Sequence, residues 1–85
     1  MADVRRLTSL GVVPALAEEL DAQITAGTGN RRRLEELGIV PVLAKEVVAN
    51  IGAGAVNIRR LVALGMVPEV VKEIGKLIAE AQPEP

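Results

Sequence analysis

The chain predicts an all-α fold: three tandem helix-turn-helix hairpins, six helices, alternately short and long. Three observations predict it. A 27-residue unit is used three times, glycine and proline fall where helix pairs need joints, and apolar residues recur at helical spacing between them. The blocks align without a gap, as RRLTSLGVVPALAEELDAQITAG from Arg5, RRLEELGIVPVLAKEVVANIGAG from Arg32 and RRLVALGMVPEVVKEIGKLIAEA from Arg59. Nine columns are identical in all three. They are Arg5/Arg32/Arg59, Arg6/Arg33/Arg60, Leu7/Leu34/Leu61, Leu10/Leu37/Leu64, Gly11/Gly38/Gly65, Val13/Val40/Val67, Pro14/Pro41/Pro68, Glu19/Glu46/Glu73 and Ile24/Ile51/Ile78.

Each element has its own start and stop. Asp3, Asn30 and Asn57 stand at one phase, and their side-chain oxygens suit helix N-caps. Short helices follow over roughly 4–10, 31–37 and 58–64, with leucines three apart on one face. Gly11, Gly38 and Gly65 end them, because glycine reaches the left-handed C-terminal cap conformation without a steric cost. In the turn Gly-x-Val-Pro, proline cannot continue the first helix but suits the opening position of the next. Long helices of about 12–14 residues therefore start near Pro14, Pro41 and Pro68. Their apolar stripes are Leu16/Leu20/Ile24, Leu43/Val47/Ile51 and Val70/Ile74/Ile78, widened by Ala17, Ala44 and Val71. Gly27 and Gly54 end the first two, and the third runs on toward Pro83. The domain spans 1–82, in repeats of about 3–29, 30–56 and 57–82, with a frayed proline-rich tail at 83–85. Frequent β-branched residues do not argue for strands, because no segment alternates with period two.

Composition narrows the function. The 85 residues include no Cys, no His and no Phe, Tyr or Trp. Disulfides, Cys/His zinc sites, and Ser–His or Cys–His nucleophile pairs are excluded, as is aromatic stacking on a base. Neighbouring carboxylates such as Glu18–Glu19 and Glu35–Glu36 point away from each other on a helix and make no acid/base couple. The loop Thr25–Asn30 lacks the Gly-Lys-Ser/Thr ending of a phosphate loop. No enzymatic activity, cofactor or metal is expected. No leader peptide or membrane span is visible, so the expected place of synthesis is a cytoplasm. The chain is 49% apolar, yet its core holds only aliphatic residues, which is thin for this size. Apolar helix faces are therefore expected to find cover against copies of the chain or a larger partner.

The arginine pairs Arg5–Arg6, Arg32–Arg33 and Arg59–Arg60 lie in the first turn of a helix, where the dipole disfavours cations. One reading pairs them with Glu19, Glu46 and Glu73 of the same or a neighbouring repeat, Arg33 with Glu46 for example. The other is an anion site. Charge is spread thinly. The repeats carry −2, +1 and +1, and the whole chain −1, so no basic stripe of the kind duplex binding requires is built.

Residues 10–20 resemble the helix-hairpin-helix motif of DNA-binding proteins, with Gly11, Pro14, Ala17 and Leu20 in place. That resemblance implies phosphate contact by a second turn glycine, but Val13, Val40 and Val67 stand there instead. The turn also resembles that of ubiquitin-associated domains, without their loop aromatic. Over residues 3–82, the run Arg-Arg-Leu-x-x-Leu-Gly-x-Val-Pro with its later Glu and Ile is similar to repeats of tailed-phage virion proteins of the head-fibre kind. Arg32-Arg33-Leu34, Leu37-Gly38-Ile39-Val40-Pro41, Glu46 and Ile51 carry it. The resemblance implies a multi-copy virion component, a capsid decoration or fibre base, whose partner is itself or another virion protein. Sustained heptads and collagen-like triplets are missing, so no fibre shaft is written here. The leading expectation is a non-enzymatic attachment protein; the alternative is a helix-hairpin-helix DNA binder.

Overall fold

The computed structural model describes residues 4–81. Six helices follow one another there: α1 (Val4–Ser9), α2 (Pro14–Ala26), α3 (Arg31–Glu36), α4 (Pro41–Ala53), α5 (Ile58–Ala63) and α6 (Pro68–Ala81). The expected cap at Asp3 and the tail at 83–85 lie outside the described residues. Asn30 and Asn57 do cap α3 and α5. Their side-chain oxygens accept from the backbone N–H of Arg33 at 3.2 Å and of Arg60 at 3.1 Å.

The short helices stop one residue sooner than the leucine spacing predicts, because a three-residue terminus follows each of them. The N–H of Gly11 reaches the carbonyl of Thr8, and that of Val12 reaches Leu7. The same two bonds recur at Gly38/Ile39 and at Gly65/Met66. This is the Schellman arrangement, and it needs a left-handed residue at its bend. Gly11, Gly38 and Gly65 supply it at φ +105°, +107° and +105°. An apolar residue just past the bend folds back on the helix. Val12, Ile39 and Met66 do this, and all three pack on the core. The long helices α2 and α4 end in the same way, at Gly27 and Gly54.

The three hairpins close into a ring. Each short helix packs on its own long helix and on the long helix of the preceding hairpin, and α1 takes its place beside α6 in the same manner. The N-terminal ends of α2, α4 and α6 line one depression, and their C-terminal ends line another. The long helices therefore run side by side in one direction. The outline, 34 × 23 × 23 Å, has two equal short axes, as a body with approximate threefold symmetry must. A radius of gyration of 11.3 Å sits near the roughly 12 Å of a compact chain of this length. Among the described residues no helix is long and apolar enough to cross a membrane.

The predicted stripes point inward, except that Leu16 and Leu43 at their first positions are only partly buried. Leu20, Ile24, Val47, Ile51, Val70, Ile74 and Ile78 are buried, with Ala17, Ala44 and Val71 fully so. So are Leu7, Leu34 and Leu61 from the short helices. Most of the helix faces expected to need an outside partner are instead covered within the ring, while Val42 of α4 and Ile58 and Val62 of α5 stay exposed.

Candidate docking surface

The arginine pairs divide their work. Arg6, Arg33 and Arg60, the second of each pair, make ion pairs, always with the glutamate of the preceding repeat in the ring. Arg33 Nε lies 3.5 Å from Glu19, Arg60 Nε 3.3 Å from Glu46, and Arg6 Nε 3.6 Å from Glu73. The pairing of Arg33 with Glu46 within one repeat is not the one formed. Arg33 also reaches Glu36, and Arg31 reaches Glu35 one turn along. Arg5, Arg32 and Arg59 are exposed and pair with none of the described residues. Each stands two positions before a fully buried leucine, about 200° around the helix, and so points radially outward. Three such side chains diverge around the ring and share no ligand.

Two residues that the sequence reading passed over organise the joints. Gln23 is buried, donates to Glu19 at 2.9 Å and clasps Asn30 through both its N–H and its carbonyl. Asn50, at the same phase, donates to Glu46 and accepts from the backbone N–H of Asn57. The third repeat has Leu77 there, buried and apolar. Polar, polar, apolar at one column was the available signal. A second signal is an exchange of size. Gly29 sits against Val48, where an added Cβ would come within 2.6 Å, and Gly75 sits as closely against Val56. Positions 29 and 56 are equivalent, as are 48 and 75, so bulk and space change places between the two joints.

One end of the ring is formed by the three Gly-x-Val-Pro turns, which carry three of the six large apolar side chains exposed among the described residues; Val42, Ile58 and Val62 are the others. The turns surround a shallow depression of about 300 Å³, floored by residues such as Leu10, Leu16, Leu43 and Met66. Around it stand Val13, Val40 and Val67, with 58%, 59% and 52% of their surface exposed. Gly11/Pro14, Gly38/Pro41 and Gly65/Pro68 hold each valine in place: glycine reverses the chain, and proline opens the long helix directly after it. Within residues 10–16, 37–43 and 64–70 the one charge is Glu69.

These valines suit the extended backbone that proline imposes on its predecessor, but they give up a helix cap. Val13 and Val40 occupy the N-cap position, and neither has a side-chain bond to the helix start. The Val67 carbonyl plays the same part, accepting from Val71. Valine ranks near the bottom at N-caps, where Ser, Thr or Asp would supply a hydrogen bond and tolerate water. Neighbouring Val12, Ile39 and Met66 vary among themselves and are partly or wholly buried, whereas the exposed column is invariant across the three repeats. The opposite end is lined by Gly27, Gly52, Gly54, Thr25 and alanines over the buried Ile24 and Ile51.

Comparison with known proteins finds no matching family model, no matching curated protein and no matching solved structure.

Proposed function

We propose that this protein is a non-enzymatic structural module that assembles through the end of the ring formed by its three Gly-x-Val-Pro turns. One observation carries the reading. The same exposed valine occupies an N-cap position three times, at the expense of both solubility and capping. A residue that gives up a side-chain cap and exposes apolar surface in every repeat is explained by a surface that another molecule covers. The resemblance of the repeat to phage head-fibre-type proteins makes a multi-copy virion component the setting proposed here. The helix-hairpin-helix reading gains no support from this geometry, since the unpaired arginines diverge around the ring and give no single basic face.

The test separates folding from assembly. In the triple variant Val13→Ser, Val40→Ser and Val67→Ser, each serine caps its helix. Thermal or urea unfolding then shows a gain of about 1 kcal/mol per site. The same variant no longer co-sediments with assembled virions in a density gradient, while the wild-type chain does. Undiminished co-sedimentation of the triple variant refutes the reading.

A further inference from the structure

Resting on that reading, we infer that the occupant of the turn end is a second copy of the same chain, joined head to head. Charge points this way first. A face with one charge in three seven-residue segments offers nothing to a charged partner, and in a like copy the one charge cost is repulsion between the two Glu69 carboxylates. The unpaired arginines Arg5, Arg32 and Arg59 point outward from the sides and stay hydrated in such a pair.

Shape agrees. Three equivalent knobs stand around the rim of the end, so two copies can meet knob against gap. Two copies facing each other across a twofold axis, turned by half the angle between repeats, place each valine between two valines of the other copy. Area sets the strength. Two ends about 23 Å across cover on the order of 1,000 Å² together, at the lower edge of specific interfaces. The pair is consequently concentration-dependent, suited to a component held in many copies, where local concentration is high.

Sedimentation equilibrium over roughly 10 μM to 1 mM reads the association directly. The wild-type chain shifts from monomer toward dimer across that range. The Val13→Ser, Val40→Ser and Val67→Ser variant, with unchanged helical circular dichroism, weakens dimerisation at least about tenfold. Orientation is read by cross-linking, because the natural chain has no cysteine. With a short bis-maleimide, Ala15→Cys at the turn end gives covalent dimers, and Ala26→Cys at the opposite end does not. A wild-type monomer throughout the range overturns the pairing, as does a dimer unaffected by the serines or linked through position 26. A wild-type chain that stays monomeric yet co-sediments with virions, while the serine variant does not, overturns the pairing and leaves the assembly reading standing. Pairing without co-sedimentation removes the virion setting alone.

Discussion

The joint between the first and second hairpins and the joint that closes the ring use the same ion pair in different surroundings. At the first, Glu19 accepts from Arg33 and also from the Gln23 amide, which holds the linker at Asn30. At the closure, Glu73 meets Arg6, and Leu77 stands where that amide would be. The difference follows from chain order. A backbone that must turn from α2 into α3 has polar groups needing partners, and a buried Gln or Asn supplies them. Between α6 and α1 no connecting backbone runs, so a leucine adds apolar burial without leaving a polar group unsatisfied. One column of the repeat thus records which joints are covalent and which one is made by packing alone.

Overpacking a linked joint has the largest expected effect. Gly75→Val drives a side chain into Val56 and costs about 1–3 kcal/mol in urea unfolding. Adding Val56→Gly recreates the Gly29/Val48 arrangement and restores most of the loss. A double variant no better than the sum of the single changes breaks the idea that the joints exchange bulk directly.

Replacing the clasp comes next. Asn50→Leu puts the closure residue into a linked joint and strands the backbone N–H of Asn57, for a loss of about 2 kcal/mol. Equal stability in the variant removes the distinction between linked and packed joints.

The smallest effects belong to the arginines. Arg33→Met and Arg60→Met each cost less than about 1 kcal/mol, since the arginine is exposed and the glutamate keeps its amide donor. Arg6→Met costs more than either. The Glu73 side chain is only 8% exposed, against 20% for Glu19 and Glu46, and has no such amide. Salt titration of the three variants ranks them independently, because the more buried carboxylate is screened least.

Much of this molecule can be read along the chain. Gly11, Pro14, Asn30 and Gly27 act within a few residues of themselves, through backbone conformation and local hydrogen bonds. Helix starts and ends therefore follow from residue type and spacing. The split within each arginine pair was hidden, because both members are identical in every repeat and only the facing helix distinguishes them. Gln23, Asn50 and the Gly29/Val48 exchange left signals in the repeat columns, but their meaning depends on which hairpins touch.

Local rules produced the six helices, their order and their buried stripes; the sequence determined these by itself. Tertiary structure decided that three hairpins bend round to meet instead of extending as a stack, which follows from the angle at which each hairpin packs on the last. That angle is a sum over side-chain contacts distant in sequence, so no short window contains it. Once the ring closes, the stripes vanish inside it, and three scattered valines become one surface.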